Sequence, residues 1–340
     1  MNSQVIFRVL ICIVLSGSFE LHAQSKVGTT AVPFLGISVG PRATAMGSAF
    51  TAMASDPTSM YYNPGTIAQN TNSQVYISHT DWLVGTSLNW VGLALKLNKS
   101  DVIGLCVTQL DYGDNEPVTT VSQPEGTGER WGASDLCAAL AYARLLTDRF
   151  SIGGSVKYIQ QQIWNESATA FAVDIGLLFI TNFNDMRLGM SISNFGTDLQ
   201  MSGRDLLHQV DLDENSIGNN ETIVARLKTE NWPLPLFFRV GMAMDILKKA
   251  PVQFTLAADA LRPTDNTEIV NVGGELTLMR MLSLRCGYKS LFRERSEEGL
   301  TFGAGLHVQV PNALHMEIDY TLADFGLFTD IHMIGVGISF

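Results

Sequence analysis

The sequence has few charged residues and no long apolar run. Only 16% of its 340 residues are charged, although 46% are hydrophobic. Beyond the first residues, no uninterrupted apolar stretch approaches the roughly 18 residues that a membrane-spanning helix needs, so helical spans are not expected. A membrane barrel built from β-strands is compatible with both observations, because each strand needs to be apolar on one face only.

The first 23 residues have the features of an export signal. Arg8 precedes a short apolar run, 9–15, and Ala23 supplies a small residue at the cleavage position. The apolar run is too short to cross about 30 Å of hydrocarbon as a helix. Cys12 lies inside the run and not at its end, so a lipoprotein anchor is not expected. We predict a signal peptide over 1–23 and an exported mature chain.

Residues that carry chemistry are scarce in the mature chain. Its three cysteines are widely spaced, and its histidines are scattered without the spacing of a zinc site. It has no Gly-x-Ser-x-Gly nucleophile elbow and no phosphate-binding glycine loop. The formal net charge of −11 argues against a nucleic-acid partner. We expect no enzymatic activity, no metal and no cofactor.

From residue 71 onwards, apolar residues alternate with polar or small ones. The last segment shows the pattern clearly, because one face carries Ile334, Val336, Ile338 and Phe340 and the other carries Met333, Gly335, Gly337 and Ser339. Lipid outside and a filled lumen inside would explain both faces. The pattern predicts an all-β fold, a transmembrane antiparallel barrel of about 14 strands over 71–340. The segments start near residues 74, 86, 102, 134, 149, 167, 185, 235, 251, 267, 281, 299, 312 and 330.

The connections between these segments differ in length in a regular way. Even-numbered connections are short, such as 98–100 and 147–148, whereas the odd-numbered ones include 113–133 and 197–234. Outer-membrane barrels have short periplasmic turns and longer outer loops. We therefore place the chain in the cell outer membrane, in contact with its lipid. The terminal aromatic Phe340 is a typical mark of such barrels, and we expect the barrel-assembly machinery to recognise it.

Strand parity collects eight charged residues on the inner face. A charge facing lipid at mid-depth costs roughly 2–4 kcal/mol for Arg or Lys, so these residues are expected to face the lumen. Two interpretations are open: an ion-paired interior that holds a plug, or a polar lining along a substrate route. The same parity predicts that arginine at Val336 or Ile338 impairs assembly, and that serine at Gly337 is tolerated far better. The eight residues are Lys157, Asp174, Asp259, Glu275, Arg285, Lys289, Glu317 and Asp319.

Residues 24–70 precede the barrel and do not alternate. Pro41 suits the first turn of a helix, and Ala45, Ala49 and Ala52 would share one face of it. Small residues allow close approach of backbones in a confined space. The dipeptides 56–57 and 63–64 end in proline and indicate turns. We predict a short helical plug inside the lumen; the alternative is a periplasmic extension.

A block within the predicted plug carries a specific motif, Gly40, Arg42, Met46, Gly47, Phe50, Asp56, Asn63 and Pro64. This block resembles the amino-terminal signature of the PorV/PorQ family, a branch of the FadL-like outer-membrane barrels. The resemblance continues through 143–158, 193–196, 259–273 and 285–288 to Asp319-Tyr320, so it covers nearly the whole mature chain. The sequence departs from the family at one place. Residues 63–66 are Asn-Pro-Gly-Thr, where the family usually has Asn-Pro-Ala-Gly.

The resemblance implies a fourteen-stranded barrel with one of two functions. PorV-like proteins serve type IX secretion: they bind the C-terminal signal domains of exported cargo and dock beside the translocon. Classical FadL-like proteins pass hydrophobic molecules across the outer membrane. We expect an accessory role in secretion, with the translocon and cargo C-terminal domains as partners at loops 113–133, 197–234 and 323–329. Passive transport of hydrophobic small molecules is the alternative.

Overall fold

The computed structural model describes residues 26–53, 56–113, 115–211, 223–293, 296–310 and 314–340. The predicted signal peptide, 1–23, lies outside these ranges. None of the helices within them is long and apolar enough to cross a membrane.

Fourteen antiparallel strands form one closed barrel. Each strand pairs with its neighbours in sequence, and the last strand pairs with the first. The predicted transmembrane barrel is confirmed, and every strand begins within two residues of its predicted start. The strands β1 to β14 are Gln74–Asp81, Ser87–Lys96, Asp101–Asp111, Ala133–Thr147, Phe150–Ile163, Glu166–Ile180, Arg187–Gly196, Phe237–Lys249, Val252–Pro263, Ile269–Leu278, Leu282–Leu291, Leu300–Val310, Leu314–Ala323 and Ile331–Ser339.

The two faces of the strands differ as the sequence pattern predicts. In β14, Ile334 and Ile338 point outward and are exposed, whereas Met333 points inward and is buried. β-branched, leucine and aromatic side chains dominate the outer face along the other strands as well. Such residues fit a pleated surface that faces hydrocarbon. The outer face is therefore the lipid-facing one.

The barrel has a short-turn end and a loop end. Turns 97–100, 148–149, 181–186, 250–251 and 279–281 lie at the short-turn end; connections 112–132, 197–236, 264–268, 292–299 and 324–330 lie at the loop end. Connection 164–165 is a short exception at the loop end. Because short turns face the periplasm in such barrels, the loop end faces the cell exterior. Phe340 lies at the short-turn end, where its backbone N donates to Ser73 O at 2.9 Å.

Residues 26–70, the N-terminal segment, run through the lumen from the loop end to the short-turn end. At the loop end, Ala31 N donates to Pro233 O at 2.9 Å, and Thr30 Oγ1 donates to Asp265 Oδ2 at 2.8 Å. At the short-turn end, Lys96 Nζ donates to Asn70 O at 2.6 Å. The described residues between these points form four short helices: Pro33–Gly36, Pro41–Ala45, Ser59–Tyr62 and Pro64–Gln69.

The predicted small-residue helix is shorter than expected. It starts at Pro41 but ends at Ala45, so Ala49 and Ala52 lie beyond it. Gly47 has φ 63° and Ser48 has φ 64°, a left-handed conformation that ends a right-handed helix. Ala49 and Ala52 are nevertheless fully buried against the barrel wall. Their small size serves close packing in the lumen and not a helix face.

The path of the N-terminal segment leads to a topological prediction. An epitope inserted between Ser25 and Lys26 should be labelled by antibody on intact cells, because Lys26 to Thr29 are exposed at the loop end. The same epitope after Phe340 should be labelled only after the outer membrane is permeabilised. Equal labelling of both tags on intact cells would contradict this orientation.

Candidate functional site

A cluster of charged side chains lies in the short-turn half of the lumen, around Arg42. The Arg42 guanidinium donates to both oxygens of Glu275, at 2.8 Å from Nε and 2.7 Å from Nη2. Arg285 Nε donates to Glu275 Oε2 at 2.6 Å, and Arg285 Nη1 donates to Asp319 Oδ1. Asp319 Oδ2 in turn accepts from Tyr76 OH at 3.0 Å. One carboxylate, Glu275, thus joins an arginine of the N-terminal segment to an arginine of the wall.

The environment of Arg42 keeps its side chain charged. Arg42 Nη1 lies 3.6 Å from Asp56 Oδ2, and the guanidinium carbon lies 5.7 Å from the centre of the Phe50 ring. Bidentate and charge-assisted hydrogen bonds of this kind are the strong ones. We call Arg42, Glu275, Arg285 and Asp319 the arginine latch.

A second attachment point is the carboxylate of Asp259 in β9. Its Oδ2 accepts from the backbone N of Phe50 and from the backbone N of Thr51, both at 2.8 Å. All three residues are buried. A carboxylate with two backbone donors satisfies N–H groups that the turn after the short helix leaves unpaired.

Lys157 and Asp174 pair with each other on the opposite wall. Lys157 Nζ lies 2.6 Å from Asp174 Oδ2 and donates to Asn194 Oδ1 at 2.8 Å, while Asp174 Oδ1 accepts from Asn194 N at 2.8 Å. Asn194 has φ 66°, and the pairing of β6 with β7 shifts register beside it. This pair therefore supports a β-bulge.

Lys289 contacts the N-terminal segment near the loop end. Its Nζ donates to Ser38 Oγ at 3.0 Å and to Glu298 Oε1 at 2.7 Å, and Ser290 Oγ donates to Glu298 Oε2 at 2.7 Å. Burial would raise the pKa of Glu298, but the Lys289 ammonium and the Ser290 hydroxyl lower it below the ordinary value. Glu317, the last of the eight inward charges, has its Oε2 3.7 Å from His307 Nδ1.

The remaining motif residues shape the chain between these attachment points. Asn63 acts as a bridge, because its Nδ2 donates to Thr51 O at 2.8 Å and to Leu177 O of the wall at 2.9 Å. Its Oδ1 accepts from Gly65 N at 3.0 Å, at the start of the helix that Pro64 begins. Asp56 Oδ1 accepts from Thr58 N at 2.8 Å. Gly40, Met46, Gly47 and Phe50 are buried between the segment and the wall.

The lumen between the N-terminal segment and the wall is closely packed. Two internal voids, one beside Met60 and Trp90 and one beside Thr44 and Met333, each have a volume of about 20 Å³. A larger cavity of about 780 Å³ opens at the short-turn end, lined by Arg280, His307, Gln309, His315 and Glu317, among others. The described part of the chain thus leaves a periplasmic vestibule below a filled lumen.

Comparison with known proteins identifies the family. The family described as type IX secretion system protein PorV matches residues 20–206, more than half of the chain. The chain belongs to the PorV family. No curated protein sequence matches it.

Solved structures resemble this PorV-family barrel in fold. The CymD monoaromatic hydrocarbon channel has a TM-score of 0.54 at 11% identity and covers 89% of this chain and 96% of its own. The toluene transporter TodX of Pseudomonas putida has a TM-score of 0.54 at 13% sequence identity, and the match covers 89% of this chain and 97% of TodX. A FadL homologue of Pseudomonas aeruginosa has a TM-score of 0.52 at 11% sequence identity, and the match covers 94% of this chain and 99% of the homologue. The fold is therefore FadL-like, and the protein is located in the outer membrane.

Sequence reasoning missed a set of hydroxyl side chains that bind the N-terminal segment of this PorV-family protein. They are inward-facing strand residues that donate to backbone carbonyl oxygens of the segment. The sequence signal that could have found them is a buried Ser or Thr at an inward position of a strand. The bonds are Ser151 to Gly65 at 2.8 Å, Ser191 to Tyr62 at 2.7 Å, Thr301 to Ala45 at 3.0 Å and Thr321 to Pro41 at 2.5 Å.

Two adjacent glycines of β10 give a matched test of this packing. A Cβ on Gly273 would lie 2.2 Å from Met46 O, a backbone atom, whereas a Cβ on the outward Gly274 would lie 3.4 Å from its nearest neighbour. We expect Gly273→Ala to destabilise the folded barrel by about 1–3 kcal/mol through overpacking. Gly274→Ala should leave the thermal unfolding temperature in detergent nearly unchanged. Equal unfolding temperatures for the two variants would contradict the close approach of the segment to β10.

Proposed function

We propose that this PorV-family protein is an accessory barrel of type IX protein secretion. In this role it binds the C-terminal signal domains of exported cargo at its loop end and docks beside the secretion translocon. The family match carries the proposal. The filled lumen supports it, because a protein-binding role needs an outer surface and no open channel. The barrel-assembly machinery is a further expected partner, at β14 and Phe340.

The loop end offers ordered surface for such partners. In connection 112–132, Glu116–Pro117 pairs with Arg130–Trp131. Trp82 packs on Phe325 with ring centres 5.4 Å apart, and Phe325 packs on Phe328 at 6.3 Å, which ties two connections together. Val84, Phe292 and Leu327 are strongly exposed at the same end. Exposed apolar groups beside acidic loops suit a protein partner.

Passive transport of hydrophobic small molecules is the second candidate. The similarity in fold to solved structures that include a toluene transporter and a hydrocarbon channel favours it. A cavity of about 150 Å³ is needed to hold benzene, whereas the two internal voids have about 20 Å³ each. Passage of such a molecule through either void would require the N-terminal segment to move, whereas an apolar pocket of about 530 Å³ beside Leu105, Leu140 and Val156 is large enough to hold one.

Gene deletion with complementation separates the two functions. We expect the deletion strain to lose export and surface attachment of proteins that carry C-terminal signal domains, and the wild-type gene to restore both. Uptake of radiolabelled toluene, measured in parallel, should be unchanged. If cargo is exported and attached as before, the secretion proposal fails. If toluene uptake falls at the same time, the transport function replaces it.

A further inference from the structure

The longest connection, 197–236, carries a two-stranded antiparallel ribbon. Leu207–Val210 pairs with Ile223–Arg226, and in the part of the chain that the structure describes neither strand pairs with a third. A strand edge without a neighbour presents unpaired N–H and C=O groups, a ready template for another strand. A two-stranded hairpin by itself is only marginally stable in water. The ribbon is thus an incomplete sheet.

The ribbon also exposes apolar side chains that a small surface sheet would normally cover. Val224 is 60% exposed and Leu227 is 55% exposed, and Leu207 and Val210 are exposed as well. Leu207 and Val224 lie on one face of the ribbon, whereas Val210 lies on the other. An added strand would cover part of this apolar surface.

The base of the ribbon is fixed to the barrel. Leu199 and Trp232 exchange backbone hydrogen bonds of 2.8 and 2.9 Å across the connection. Ser202–Gly203 pairs with the loop end of β6, and Asp205 N donates to Glu166 Oε1 at 2.8 Å. Thr229 Oγ1 donates to Met201 O at 2.6 Å. The ribbon is held in a defined position above the rim, which reduces the entropy lost when a partner binds.

Backbone alternation shows which groups face the free edges. Leu227 N donates to Leu206 O at 2.8 Å, so residues 206 and 227 form a hydrogen-bonded pair. Hydrogen-bonded and non-hydrogen-bonded pairs alternate along antiparallel strands. Pairs 207–226 and 209–224 are therefore non-hydrogen-bonded pairs. Gln209 therefore presents its N–H and C=O on one edge, together with the Leu207 C=O, and Val224 and Arg226 present theirs on the other. The Leu207 N–H already donates to Arg204 O.

We propose that this ribbon takes up an extended strand of a cargo C-terminal signal domain as a third β-strand. The proposal rests on the secretion function proposed above and specifies its mode of binding. Main-chain hydrogen bonds supply affinity in such strand addition, and alternate side chains supply selectivity. The connection 197–234 has seven acidic and three basic residues. A strand that binds to this acidic connection should carry basic residues, and binding should weaken with salt.

Proline at an edge-facing position tests the proposal in the full-length protein. Gln209→Pro and Val224→Pro each remove one outward N–H while sparing the internal hydrogen bonds of the ribbon. Gln209→Ala and Val224→Ala keep the N–H and are the matched controls. The probe is a purified C-terminal signal domain of a protein that the same cells export, bound to each variant in detergent. Each variant must first be shown to form a folded barrel, which migrates faster than the unfolded protein on a gel when the sample is not heated.

We expect one of the two proline variants to bind the domain about tenfold more weakly than its alanine control, since hydrogen bonds and apolar contact along that edge are lost. Secretion of cargo should fall in the same variant. Binding within twofold of wild type in both proline variants would overturn the ribbon proposal while leaving the secretion function in place. Binding of a second copy of the barrel at the ribbon would also overturn it. If the wild-type barrel does not bind the domain at all, the proposed function itself fails.

Discussion

Arg42→Met is expected to destabilise the folded barrel by roughly 3–5 kcal/mol, the cost of breaking a buried ion pair from one side. Arg42 makes a bidentate contact with Glu275, and both side chains are largely buried. Without Arg42, the Glu275 carboxylate keeps Arg285 but loses two charge-assisted hydrogen bonds. Thermal unfolding in detergent, followed by the loss of the fast-migrating folded band on a gel, measures the effect.

An exposed ion pair provides the control for this prediction. Arg262 Nη1 lies 3.2 Å from Glu268 Oε1, and both side chains are exposed. Arg262→Met should cost at most about 1 kcal/mol, because exposed pairs contribute little. Adding Glu275→Gln to Arg42→Met should recover part of the loss, since no buried carboxylate is then left short of partners. Equal unfolding temperatures for Arg42→Met and Arg262→Met would show that the latch does not hold the segment.

Ile334→Arg is expected to reduce the amount of folded protein in the outer membrane strongly. Ile334 is 50% exposed on the outer face in the middle of β14. An arginine at the bilayer midplane costs about 2–4 kcal/mol in a barrel. Quantitative immunoblots of outer-membrane fractions, with and without heating, measure folded and unfolded protein separately.

Leu327→Arg is the matched control for the lipid-facing variant. Leu327 is 90% exposed in connection 324–330, where the arginine would lie in water. Its folded amount should equal that of wild type. Equal folded amounts for the two arginine variants would contradict the lipid-facing assignment of β14.

Serine at Gly337 would meet less space than the sequence pattern indicates. A Cβ there would lie 2.5 Å from Glu317 Oε1 and 2.7 Å from Tyr76 Cδ2. The Tyr76 ring is buried and cannot move aside cheaply. Parity correctly places Gly337 inward, but it carries no information on how closely the lumen is filled. We now expect Gly337→Ser to destabilise the barrel.

The strands of this protein could be predicted because their signals are local. Alternation along Ile331–Ser339, for example, requires only that one face meets lipid and the other meets the interior. The short helix could not be predicted in full. Its start follows from Pro41, but its end depends on Gly47 and Ser48, which adopt left-handed conformations. The run of small residues in the sequence did not indicate the turn at Gly47 and Ser48.

The candidate site could be predicted as a set of inward charges but not as a set of contacts. Arg42 and Glu275 are separated by 233 positions in sequence. Asp259 and Phe50, whose backbone N it binds, are separated by 209 positions. The serine and threonine donors on the wall gave no sequence signal beyond their parity. Of the two interpretations of the inward charges, the contacts favour an ion-paired interior that holds the N-terminal segment. That preference rests on distances between atoms.

Strand number, the lipid-facing residues and the separation of short turns from long loops follow from the amino-acid sequence, because each depends on neighbours a few residues apart. The direction in which residues 26–70 cross the lumen and the partners of each buried charge were decided by the tertiary structure. Closing fourteen strands brings distant inward faces within hydrogen-bond distance of one threaded segment. Buried polar groups must then find partners inside that closed space, and periodicity does not encode which partners they find.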